Sequence, residues 1–289
     1  MSLTNSVPYC GSPPVPGSVT WNIDPILWSL LASGALIYCI ACRRLHRDAP
    51  ARHEQISFAL GWIILALALI GPICNLSVAL FSARVGQHMI LSLVAAPLLV
   101  FGRADVLILQ AFGLRADLPH RTEMYAAPLA FAFALWVWHA PGFYDATFAS
   151  HIVYWIMHVT LFAAAIALWR VLLRGVVHAP VSALIASAFT GAQMCALGVL
   201  FTFASHPLFS VHTATTWAWG WTQIQDQQFG GLLMWIPGGM VFTLHALAVL
   251  GLFLSRLDRF VGPTAAPHST TFSELRSRQN YGSLSNPPA

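Results

Sequence analysis

A few side chains able to hold a metal or carry charge interrupt long apolar runs. His88 and Met89 stand side by side in one run, and Arg84 lies four residues before His88. His139 ends a second run, with Asp145 shortly after it. His151, Met157 and His158 open a third, and Asp226 precedes a fourth that contains Met234. Imidazole with thioether suits copper, because methionine sulfur favours Cu(I) and imidazole accepts either oxidation state. Axial ligation of haem iron by histidine is the second option. His151 and His158 share one helical stripe but lie ~10.5 Å apart along it, so they are no chelating pair. A site must therefore gather His88, His158, Met89, Met157 and Met234 from several elements. Asp145 and Asp226 would orient the histidines or attract a cation. The competing reading of the same groups is interhelical hydrogen bonding and interface anchoring.

The elements that position these groups are membrane helices. Of 289 residues, 57% are hydrophobic and 8% charged, against roughly a quarter charged in a soluble domain. Such a chain cannot cover a globular surface, and its 12% aromatic content excludes disorder over most of its length. Seven runs approach the ~20 residues that cross a bilayer: 23–41, 56–76, 85–101, 124–139, 151–172, 181–205 and 229–254. The stretch 106–112 is too short to span and lies at the interface or extends span three. No run alternates as a β-barrel strand would.

All 14 cations are arginine. Thirteen follow spans one, three, five and seven, and only Arg84, at the mouth of span three, falls on the opposite side. The positive-inside rule then places the N-terminus outside and the C-terminus in the cytoplasm. The same distribution makes the +4 charge a topology signal, not a nucleic-acid patch. Histidines 88, 139 and 158 consequently gather in the outer leaflet, in a pocket expected from spans three, four, five and seven.

Residues 1–22 hold Pro8, Pro13, Pro14 and Pro16 and read as a loosely ordered outer arm, not a signal peptide. Residues 23–260 form one transmembrane domain, and 261–289, rich in Ser, Thr, Pro and Asn, a disordered cytoplasmic tail. Cys39 and Cys42 form a C-x-x-C with no second pair to complete a zinc site. Cys10 and Cys74 both fall on the outer side, where a disulfide is open to them. No Ser/His/Asp spacing, H-E-x-x-H or phosphate loop appears, so no catalytic residue is assigned and the chain is not read as an enzyme.

Three stretches together resemble one family: Gln87-His88-Met89 running into Ala95-Ala96-Pro97-Leu98-Leu99-Val100-Phe101-Gly102; Trp138-His139-Ala140-Pro141-Gly142-Phe143-Tyr144-Asp145, followed by His158 and Trp169; and Asp226 through Gly238. They look like the seven-span CtaG family of cytochrome c oxidase assembly factors. The resemblance covers roughly Trp21 to Leu254. It implies a multi-pass protein of the bacterial plasma membrane that serves haem-copper oxidase subunits, with a copper connection. Its matching positions are His88, Met89, His139, Asp145, His158, Asp226 and Met234.

Two positions depart from that pattern. The family often carries histidine where this chain has Arg84 and Tyr154, and each would have completed an i, i+4 pair. Arginine cannot ligate a metal and repels a cation, yet it suits an anionic group such as a haem propionate. The rival readings are a copper transporter and a metal-free accessory subunit of a respiratory complex.

Overall fold

The computed structural model describes residues 7–44, 49–111 and 121–261, and among them every regular element is helical. The chain divides into two units, Met1–Leu250 and Gly251–Ala289, and the site described below lies in the first. The tail expected from 261 falls, from residue 262 on, outside the described residues.

In order, the helices are α1 (Pro25–Arg44), α2 (Arg52–Ile70), α3 (Pro72–Ala79), α4 (Phe81–Ile90), α5 (Ala96–Phe101), α6 (Ala104–Ala111), α7 (Arg121–Trp138), α8 (Pro141–Ala149), α9 (His151–His178), α10 (Pro180–Thr202) and α11 (Gln223–Val261). A π-helical turn, Leu91–Ala95, joins α4 to α5. Six stretches are long and apolar enough to cross a membrane, and a seventh is completed if α7 and α8, bent by 72°, count as one span.

Prolines explain the breaks. The expected second span, 56–76, instead ends at Ile70. Pro72 has no N–H for the Ala68 carbonyl and its ring would collide with it, so the chain restarts as α3 with Pro72 at its first position. The freed Ala68 carbonyl takes a hydrogen bond from the Gln87 side-chain amide at 2.8 Å. Pro97 has a similar effect on span three. Upstream of it the Ala96 N–H reaches back to Leu91, not Ser92, and the spare Ser92 carbonyl accepts the Trp169 indole at 2.7 Å. Pro141 opens α8, which places Asp145 on a helix and not in the expected loop. The stretch 106–112 belongs largely to the separate helix α6, set off by Arg103 at φ 61°.

Lipid tails are as apolar as leucine, so burial alone does not drive helix association in a bilayer. Close packing and polar ties do. A Cβ on Gly198 would stand 2.7 Å from the Trp235 Cβ and 2.9 Å from the Gly231 carbonyl, so α10 and α11 meet there only because both positions are glycine. Tyr38 donates to the Gly102 carbonyl at 2.9 Å and Ser57 to Leu98 at 2.8 Å. Each such bond stabilises by about 0.6 kcal/mol.

At the arginine-rich end, Asp105 on α6 meets Arg174 of α9 at 2.7 Å and Arg170 at 3.4 Å, while Arg170 also pairs with Glu123 of α7. Burial pushes the Asp105 carboxyl up, and the two arginines pull it back.

The arm is not loosely ordered over residues 7–22. Cys10 is disulfide-bonded to Cys74 of α3. Asn75 donates to the carbonyls of Cys10 and Ser12 and accepts from the Thr20 N–H. Tyr9 stacks on Tyr154 at 4.8 Å, and Trp219 donates to the Pro14 carbonyl.

Candidate functional site

The site begins with the anchoring of α4. Asp226, in the first turn of α11, accepts the Phe81 N–H at 2.7 Å, the Ser82 N–H at 3.2 Å and the Ser82 hydroxyl. These are donors of a helix's first turn that have no partner within the helix. A carboxylate there caps the helix and complements its dipole. Asp226 thus fixes the depth at which α4 presents Arg84 and, one turn further, His88.

Both residues are buried. Arg84 does not sit at the mouth of span three, as the arginine distribution suggested. Because α4 starts at Phe81, the guanidinium enters the interior, where it is 1% exposed. His88 turns toward two other imidazoles. Ring centroids are 5.2 Å apart for His88 and His158 and 6.1 Å for His88 and His139, both edge-to-face. His139 follows the end of α7, and its Nδ1 meets the Leu135 carbonyl at 2.8 Å. His158 on α9 meets the Tyr154 carbonyl through Nδ1 at 3.1 Å. This is how metal-binding histidines are oriented, with one ring nitrogen tied to a carbonyl and the other left for the ligand. His158 Nε2 and both ring nitrogens of His88 are buried without a hydrogen-bond partner among the described residues.

Rings surround the guanidinium. Its Cζ lies 4.4 Å from the Phe148 ring centroid, 5.4 Å from Tyr154 and 5.8 Å from Tyr144. Nη1 reaches the Thr147 hydroxyl at 3.4 Å, while Nε has no partner. Among the described residues Arg84 makes no ion pair. Tyr144, Thr147 and Phe148 share one face of α8, being three and four residues apart. The Tyr154 ring also lies tilted against His158, centroids 4.1 Å apart, and its hydroxyl lies 3.2 Å from Cys10 Sγ. Sequence reading missed this cage, although the i, i+3, i+4 spacing of Tyr144, Thr147 and Phe148 was available to find it.

The remaining expected residues divide. Met157 and Met234 are buried in the apolar core around these histidines, and Met89 is half-buried against it. Asp145 lies apart, accepting from Ser210 at 2.7 Å. Asp226 serves α4 and not a histidine ring. Beyond the cage, Tyr144 meets His212 Nε2 at 2.8 Å. His212 lies in a connecting turn, where burial, with the Arg84 charge next in weight, lowers its pKa to about 3.

Among the described residues no three His, Cys, Asp or Glu side chains stand close enough to hold a metal ion together. His88 and His158 each keep a buried ring nitrogen without a partner among the described residues. The apolar grooves between α7 and α10, about 170 Å³, and between α10 and α11, about 370 and 280 Å³, include none of the three histidines in their walls.

Comparison with known proteins adds one finding. A family model described as cytochrome c oxidase caa3 assembly factor (Caa3_CtaG) matches residues 36–255. No curated protein and no solved structure matches the chain.

Proposed function

We propose that the chain, which belongs to the cytochrome c oxidase caa3 assembly factors, serves that role by handling copper(I) at His88 and His158. Membership supports an accessory role in oxidase biogenesis, and the apolar helices fit a multi-pass membrane protein. The observation that carries the copper reading is the unpartnered state of His88 and of His158 Nε2 in a buried site. Buried polar atoms normally have partners, so these nitrogens read as groups kept for a ligand. His139 supports the same reading as a third imidazole at the edge of the pair. Haem fits less well, since none of the three grooves described above includes these rings in its wall.

The N-terminus faces outward in this proposal. The arginine distribution supports it, and so does the Cys10–Cys74 disulfide, because such bonds persist in oxidising compartments. The matching location is a bacterial plasma membrane, with the histidines in its outer leaflet.

The experiment is a deletion strain assayed for oxidase spectrum and activity at low and high copper, complemented with wild type or His88→Ala. Loss of active oxidase, restored by wild type but not by His88→Ala at low copper, supports the reading. Equal rescue by both removes His88 from the function. A metal-free accessory role is the second reading, favoured by the Arg84 charge inside the site. Co-purification with the oxidase from copper-free membranes supports it. Transport, the third reading, would need a route past Gln193, which bonds Trp136, and past His245, whose Nδ1 bonds Ser187 while its Nε2 has no partner among the described residues.

A further inference from the structure

We propose that Arg84 sets the charge of what the histidine site accepts: copper(I) enters together with one anionic donor, and the bare cation is refused. The inference rests on the copper reading above and concerns the form of the cargo.

Four observations carry it. First, the guanidinium is buried with no carboxylate paired to it among the described residues. Guanidinium groups stay charged in proteins. Second, its compensation is a cage of three ring faces, which holds the charge in place without neutralising it. Third, Arg84 Nε is a buried donor with nothing to bond, so an acceptor is wanted on that side. Fourth, the charge is close to the imidazoles. Arg84 and His88 are one helical turn apart, and Arg84 and His158 both neighbour the Tyr154 ring, at 5.4 Å and 4.1 Å from its centroid. A bare ion at the histidines would meet an uncancelled unit charge, at a separation on the order of 8 Å, about one and a half helical turns. At an effective dielectric of ~20 that weakens binding about 30-fold. An anion bound to the ion cancels this repulsion and offers Nε its missing acceptor. Neither ligand binding nor loss of the anion changes any oxidation state, so the step needs no electron or proton.

The test is copper(I) affinity of the purified, metal-free protein, measured anaerobically against a competing chelator, with and without chloride at constant ionic strength. Wild type should bind about 30-fold more tightly when chloride is present. Arg84→Gln should bind as tightly without chloride as wild type does with it, and should lose the chloride dependence. Arg84→Lys, which keeps the charge, should behave as wild type. The wild-type titration stands even where Arg84→Gln fails to fold. Equal, chloride-independent affinity in wild type and Arg84→Gln overturns the inference and leaves the copper reading intact. No copper binding by wild type or by either variant overturns both.

Discussion

Replacing Asp226 separates a structural from a ligand-directing role for this carboxylate. In the fold Asp226 accepts three hydrogen bonds from the first two residues of α4, and it is 1% exposed. Asp226→Ala would leave two backbone N–H groups and one hydroxyl without partners. Each unsatisfied buried donor costs about 1–3 kcal/mol, and the Ser82 hydroxyl can rotate to relieve itself. Loss of a helix cap alone costs about 0.5–2 kcal/mol. The expected loss is therefore about 3–4 kcal/mol, while Asp226→Asn, which keeps one acceptor oxygen, should lose about half as much. The assay is reversible unfolding of purified protein in mixed detergent micelles, followed by far-ultraviolet circular dichroism. An Asp226→Ala protein within ~1 kcal/mol of wild type would refute the capping argument, since even one orphaned donor should exceed that. Unchanged stability with lost copper binding would instead make Asp226 a partner of the histidines.

Two further outcomes follow from the arm and the turns beside it. His212 has a pKa near 3 in the folded protein against ~6.5 unfolded, so its contribution is complete above pH ~6.5 and falls as pH drops toward 3. The slope is about 1.4 kcal/mol per pH unit, or about 2 kcal/mol lost by pH 5. Melting temperatures between pH 7.5 and 5 should show it, and His212→Gln should lessen that dependence by the His212 share, leaving what the other buried histidines contribute. The Cys10–Cys74 bond closes 64 residues, a loop whose chain entropy corresponds to about 4 kcal/mol. The Cys10→Ser, Cys74→Ser double variant should lose stability of that order, and protease should cut its arm at residues 7–22 faster than in wild type; equal cutting rates would show that the aromatic and Asn75 contacts suffice.

Much of this architecture is legible in the sequence because a bilayer leaves few ways to place long apolar runs. All seven expected spans correspond to helices, the fourth through the α7–α8 pair. What hydropathy does not encode is where a run bends. The stretch 56–76 carries no charge, and the Pro72 ring and its missing N–H break it. Depth suffered likewise: Arg84 reads as a surface charge until α4 is seen to start at Phe81. The meeting of His88, His139 and His158 was a hypothesis from residue type, and their convergence depends on interhelical packing that spacing along one chain cannot carry. Asp226 stood out for its charge, but its target, the first turn of α4, lies 145 positions earlier. The Pro-rich arm reads as loose by composition, while the disulfide and Asn75 hold it through contacts distant in sequence.

The Cys10–Cys74 bond also has a consequence for how the chain is inserted. Two helices long and apolar enough to cross a membrane, α1 and α2, separate the cysteines, so the sulfurs share a compartment when both cross or neither does. A chain in which only one of them inserts leaves one thiol stranded on the other face. The crosslink therefore acts as a proofreading latch for the first helical hairpin. It cannot close on a chain in which one of the two helices crosses and the other does not, and where it closes the arm rests on Tyr154 beside the histidines.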